Sequence, residues 1–222
     1  MLASLLLAAI ASGPPAFPPA GSYSYTASYN GEPVGKWSLT VKRAQAGPEI
    51  DESSTASLMG MQLAAQAVLT LSGDLSPMRY DGHYRTPNQS PNVSVSLTPA
   101  SATVVGLMTS QAQQVSLGAG TRHFVVIEPG LVAGLFALPA QLASWKDPMV
   151  TWITPTSAQA QVLTTGPAAS QPRPARVSAS DVLLSIASPI AVSIWYDPAT
   201  LVPDQIAVPS QNAVLTRVAS SP

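Results

Sequence analysis

No cysteine occurs anywhere in the 222-residue chain. Disulfides, thiol nucleophiles and cysteine-bound metals are therefore excluded. Histidine occurs only twice, as His83 and His123, so no transition-metal site is expected and no metal ligand is assigned. Charged residues make up 9% of the chain, against about 25% in an ordinary soluble domain. The net charge is −1, which leaves neither a basic footprint for nucleic acid nor a polybasic patch for a membrane surface. No apolar run reaches the roughly 20 residues of a membrane-spanning helix, so no transmembrane span is expected. The chain contains no Gly-x-Ser-x-Gly elbow, no phosphate-binding loop, no His-x-x-x-His and no Asp-rich calcium loop. Gly118-Ala119-Gly120 lacks the third glycine of a dinucleotide loop, and no cofactor is called for.

Apolar residues make up 46% of the chain, enough for a sizeable core, and they are laid out with period two. Tyr23, Tyr25, Ala27 and Tyr29 alternate with Ser22, Ser24, Thr26 and Ser28. Asn30-Gly31 follows, and then Trp37, Leu39 and Val41 alternate with Ser38, Thr40 and Lys42. Successive strand side chains point to opposite faces, and Asn-Gly tolerates the positive φ angles of a tight hairpin turn. Residues 21–41 therefore spell a β-hairpin. The same rhythm predicts strands over 53–58, 59–71, 78–86, 92–98, 102–108, 113–117 and 122–127. After residue 148 it predicts strands over 149–154, 158–163, 182–187, 191–196, 206–208 and 213–218.

One segment changes period. Between Pro129 and Trp145, residues Leu131, Leu135, Leu138, Leu142 and Trp145 recur at spacings of three and four, a helical stripe. Pro139 lies inside it and predicts two short helices or one kinked helix. Its low polarity predicts burial. The expected fold is mainly β: a curved antiparallel sheet, a half-barrel or open barrel, with a short helical segment packed in its concavity.

The N-terminus reads as a targeting segment. Leu2 to Ile10 is apolar, and Ala9-Ile10-Ala11 has the small-x-small form of a cleavage site, although no Lys or Arg precedes the run. Residues 1–11 are expected to be a signal peptide, 12–20 a Pro-rich linker, and 21–220 a single all-β domain, exported to the periplasm or beyond the cell. Asn88-Gln89-Ser90 and Asn92-Val93-Ser94 match glycosylation sequons, which matter only in a eukaryotic secretory route.

Chemistry-bearing residues are few. Arg79, Asp81, His83 and Arg85 fall on one face of a strand, with Tyr80 and Tyr84 on the other. Asp81 and His83 read either as an acid/base pair or as charge alternation on a solvated face. His123 reads as a residue of the sheet margin. Asp51-Glu52 and Asp181 read as surface or turn residues.

The string Tyr25-x-x-x-x-Asn30-Gly31-x-x-Val34-Gly35 resembles the first hairpin of several uncharacterised exported bacterial domain families. Trp195-Tyr196-Asp197, followed by proline and a strand to Val208, resembles their last hairpin. Those families are similar in plan to lipoprotein-carrier half-barrels, in which a curved sheet wraps a helix around an apolar hollow. The resemblance implies such a hollow here and carries no catalytic residue across.

Three functions stay open. The first is binding of a lipid or other hydrophobic or amphiphilic small molecule, with Trp37, Met59, Met61, Leu63, Phe136, Leu142, Trp152 and Trp195 as wall residues. The second is a structural module of the cell envelope that docks an envelope protein partner. The third is a hydrolase centred on Asp81 and His83. A membrane-embedded barrel also predicts alternation, but thirteen aromatics, three of them Phe, are few for two aromatic girdles.

Overall fold

In a computed structural model, residues 16–58, 60–87, 89–98, 101–106, 109–116, 123–145, 149–166 and 172–218 are described. The expected signal peptide and Met59 lie outside these residues. The strands are β1 (Gly21–Tyr29), β2 (Glu32–Arg43), β3 (Pro48–Leu58), β4 (Met61–Leu71), β5 (Pro77–Arg85), β6 (Asn92–Leu97), β7 (Ser101–Gly106), β8 (Thr109–Ser116) and β9 (His123–Val126). Among the described residues a single α-helix, α1 (Ala133–Trp145), follows. Then come β10 (Val150–Thr154), β11 (Gln159–Thr165), β12 (Val182–Ser188), β13 (Val192–Tyr196), β14 (Pro203–Val208) and β15 (Ala213–Arg217).

These strands form one sheet. Its order runs from β8 back to β1, across to β15, and back through to β9. Hairpins join most neighbours, as the alternation and turn residues require. Asn30 and Gly31 adopt φ of 49° and 83°, the mirror-image turn that matches strand twist. The sheet is mixed at one place: β9 and β10 pair in parallel. Helix α1 is the crossover between them, and two parallel strands need such a return path. The sheet is not closed, but it curls, so that β9 packs against β5 and β8 against β11.

The curl makes an inner face, and α1 lies in it. Residues Ala133 to Gln141 of the helix are all buried. Phe136 packs on Tyr23 of β1, with ring centroids 5.2 Å apart. Gly134 has no room for a side chain, because a Cβ there would stand 1.9 Å from the Val126 carbonyl oxygen. The expected break at Pro139 does not divide the segment, and one helix runs through it. At its far end Gln141 donates to the Leu75 carbonyl (2.9 Å) and Trp145 to the Asp74 carbonyl (2.7 Å). These bonds tie the helix to the β4–β5 turn.

The Pro-rich stretch before β1 is tied down as well. Phe17 is buried, Arg43 lies over its ring, and Tyr23 donates to the Pro19 carbonyl (2.6 Å). No helix among the described residues is long and apolar enough to cross a membrane.

Candidate functional site: a hollow beyond the helix

Strand register sorts the inner face into rows of directly paired residues. One row is Val41–Ile50–Leu69–Tyr80–Val95–Val104. The next is Leu39–Glu52–Ala67–Gly82–Val93. Then follow Trp37–Ser54–Ala65–Tyr84, and finally Gly35–Ala56–Leu63. The first row is large and fills space beside the helix. Ala67 and Gly82 in the second row are small, which lets the helix approach β4.

Glu52 marks where the helix starts. Its carboxylate accepts the backbone N–H groups of Val132 (2.9 Å) and Ala133 (2.7 Å). A helix begins with N–H groups that have no partner within it, and here a buried acid supplies one. Burial outweighs those bonds and pushes the Glu52 carboxyl up to about 7. Glu52 is 3% exposed and Asp181 is also buried, so neither is the surface residue expected from sequence. Strict alternation with Ile50 puts Glu52 on the inner face, and its pairing with the helix keeps it there.

Beyond the helix start, among the described residues, the inner face borders an open space. Ser54 and Ala65 stand between Trp37 and Tyr84, and two small side chains leave room that two aromatics bound. The space is a hollow of ≈ 620 Å³. That is within the roughly 300–1,000 Å³ of small-molecule sites. Trp37, Leu63, Tyr84 and Trp152 line it, with Ile206 and Leu215 from the opposite side of the trough. Its mouth lies among hairpin tips, where Tyr29, Arg85, Gln211 and Asn212 are exposed.

The hollow has a small polar side. Glu128, buried, lines it and accepts the Thr156 backbone N–H (2.9 Å). Burial raises the Glu128 carboxyl above its ordinary range. Trp152 donates its indole N–H to Thr154 (3.0 Å). The indole N–H of Trp37 is buried and has no hydrogen-bond partner among the described residues, and the Tyr84 hydroxyl lies against the Glu128 carboxyl and the Tyr80 hydroxyl. Desolvation and the nearby Glu128 raise the Tyr84 phenol, so it stays protonated and able to donate.

The other residues named from sequence lie elsewhere. Met61 sits at the start of β4, 51% exposed. Phe136 and Leu142 belong to the packing around the helix. Trp195 is on the outer face of β13, next to Ile194, which points inward. Arg173 lies 4.8 Å over its ring. Asp81 and His83 are also on the outer face, away from the hollow. Arg79 (2.5 Å) and Ser94 (2.7 Å) donate to Asp81, and the His83 Nδ1 meets the Asn92 side-chain oxygen at 2.7 Å. His123 stacks on Trp145, with centroids 4.5 Å apart. Among the described residues no group of three or more His, Asp or Glu side chains could hold a metal ion.

Neither a protein-family model nor a curated protein matches the chain. Two solved structures are similar to it. One is a DUF1089 family protein from Pseudomonas aeruginosa, 10% identical, with 88% of this chain and 92% of that one covered and a TM-score of 0.46. The other is a beta-barrel-like protein of domain of unknown function DUF1849 from Brucella abortus, 9% identical, with 91% and 95% covered and a TM-score of 0.43.

Of the residues that line the hollow, Tyr84 and Glu128 are absent from the list drawn from sequence. Tyr84 carried a signal, since it alternates with His83 and so faces inward. Glu128 carried another, as the charge that closes the apolar run Phe124–Ile127.

Proposed function

We propose that the protein binds a hydrophobic or amphiphilic ligand in this hollow, and that it does so as an exported carrier or accessory of the cell envelope. The observation that carries the reading is the unfilled space between Trp37 and Tyr84, beyond the helix start. A concave cleft of this size, lined mainly by apolar side chains with a few polar groups, is the usual form of a small-molecule site. The walls are mostly apolar, and burying an apolar ligand there gains about 25 cal/mol per Å² of apolar surface removed from water. The sparse charge and the apolar leader Leu2–Ile10 support export.

The test is uptake of N-phenyl-1-naphthylamine, an uncharged apolar fluorophore. The wild-type protein is expected to bind it with a large rise in emission. Ala65→Phe puts a ring into the hollow and is expected to abolish the signal while circular dichroism stays unchanged. Equal uptake by the two proteins would place binding elsewhere and overturn the reading. No uptake by either would favour the envelope module that docks a protein partner without a ligand.

A further inference from the structure

The hollow holds a buried acid whose charge its surroundings do not match. Glu128 is 3% exposed and lines the cavity just after β9, where it closes the apolar run Phe124–Ile127. Its neighbours are the N–H and hydroxyl of Thr156, from the turn after β10, and the Tyr84 hydroxyl, from β5. The Tyr80 hydroxyl stands behind that of Tyr84. All of these are uncharged donors. Burial outweighs them and holds the carboxyl above its ordinary range. Among the described residues the ion pairs join Lys42, Arg79 and Arg217 to other acids, and none reaches Glu128. Holding the Thr156 turn needs only an acceptor, which an uncharged amide would supply. The turn therefore does not account for an acid facing an open space.

Buried charges in folded proteins are ordinarily paired with an opposite charge or bound to a metal. A metal ion needs several ligands, and among the described residues no three His, Asp or Glu side chains gather here. The other ionisable groups of the lining are Tyr29, Tyr84 and Arg85. Arg85 is exposed at the mouth, where water and salt screen it. A fatty carboxylate would bring a second negative charge toward Glu128, and like charges in a low-dielectric site repel strongly. An organic cation meets both sides of the site. Its ammonium pairs with the carboxylate and donates to it, and its chain lies along the apolar wall. Trp37, Tyr84 and Trp152 line the same space, and aromatic surface favours an organic cation over an anion.

Building on the ligand-binding reading above, we infer that the hollow selects single-chain cationic amphiphiles, with an alkylammonium head paired to Glu128, over alcohols and fatty carboxylates of the same chain length.

Competition against bound N-phenyl-1-naphthylamine tests it, with each competitor below its micelle concentration. Dodecylamine, dodecanol and laurate share one chain length and differ in the charge of the head. The amine is protonated at neutral pH. Wild-type protein is expected to bind dodecylamine about tenfold more tightly than dodecanol, and laurate more weakly than either. The preference is expected to persist in about 0.5 M salt, where attraction to exposed acids is screened away. Glu128→Gln keeps the size and the hydrogen bonding of the side chain and removes its charge. It is expected to weaken dodecylamine about tenfold, to the level of dodecanol, and to leave dodecanol unchanged. Unchanged dodecanol binding shows that the hollow of the variant is intact. If the variant fails to fold, the wild-type series and its salt dependence decide. Dodecylamine binding no tighter than dodecanol would overturn the inference while ligand binding stands. So would a preference that salt abolishes or that Glu128→Gln retains. Failure of the fluorophore itself to bind would remove both readings together.

Discussion

The trough has two halves built from the same alternation, and only one is full. Toward the β4–β5 turn the inner row is Val41–Ile50–Leu69–Tyr80–Val95–Val104, and α1 lies against it. Toward the Asn30–Gly31 tip the row is Trp37–Ser54–Ala65–Tyr84, and among the described residues a hollow of ≈ 620 Å³ lies against it. Backbone pattern does not distinguish them. Two facts do: the size of the side chains in each row, and the position of Glu52, which fixes where the helix begins. The helix is thus a partial filler whose N-terminal stop sets the floor of the hollow. Stability resides in one half and room for a ligand in the other.

The sharpest way to break that division is one substitution made twice. Ala67→Phe adds a ring under the helix, and Ala65→Phe adds the same ring two residues away, in the hollow. Overpacking a filled core costs about 1–3 kcal/mol or more, whereas a ring placed in empty space displaces no packed atoms. Ala67→Phe is expected to lose about 3 kcal/mol by urea denaturation, and Ala65→Phe less than about 1. Equal losses would mean that the two halves are equally packed.

Next in size is the floor itself. The Glu52 carboxyl is raised to about 7, and that of Asp181 is raised too, by burial and the neighbouring Asp204. A raised acid binds its proton more tightly when folded than when unfolded. Its contribution is therefore complete below the unfolded value and is lost as pH climbs through the folded one. For Glu52 the loss runs from about pH 4.5 to about 7. Asp74, Asp81 and Asp197 are lowered, so their contributions fail only toward more acid pH. Between pH 5 and pH 8 the raised acids govern, and the melting temperature is expected to fall by about 3–6 °C. Glu52→Gln should cost about 1–2 kcal/mol at pH 5 and remove most of that slope. A melting temperature that rises from pH 5 to pH 8 would contradict the buried, proton-holding acid.

Much of the full half is legible in the amino-acid sequence, and much of the empty half is not. Alternation predicts the hairpin of Tyr25 and Trp37, and spacing predicts a buried helix through Leu135, Leu138 and Leu142. Both signals are local. The hollow depends instead on which residues stand side by side on neighbouring strands. Ser54, Ala65 and Tyr84 are up to 30 positions apart, and only register brings them into one row. Trp37, Leu63 and Trp152 are found from sequence because large apolar residues on an alternating face must go inward. Trp195 shows the limit of that rule. β13 is apolar on both faces, and the loop carrying Arg173 covers its outer one, so size alone cannot say which way a side chain faces. Glu52 shows the converse: its type suggests solvent, while its period puts it inside.

The smallest expected effect lies on the outer face of the strand that carries Tyr84. His83 is exposed, and its bond is to the Asn92 side chain. Asp81 keeps Arg79 and Ser94 whether or not the imidazole is present. Exposed polar groups of this kind contribute little, because water replaces what is removed. His83→Ala is therefore expected to shift stability by less than about 0.5 kcal/mol and to leave fluorophore uptake unchanged. Tyr84→Trp, one residue away and facing the hollow, adds bulk there and should reduce fluorophore uptake. The adjacent pair separates the two faces of one strand. If His83→Ala abolished cleavage of an ester substrate while Tyr84→Trp left fluorophore uptake intact, the working surface would be the outer one, and the hollow would be a packing feature of the curved sheet.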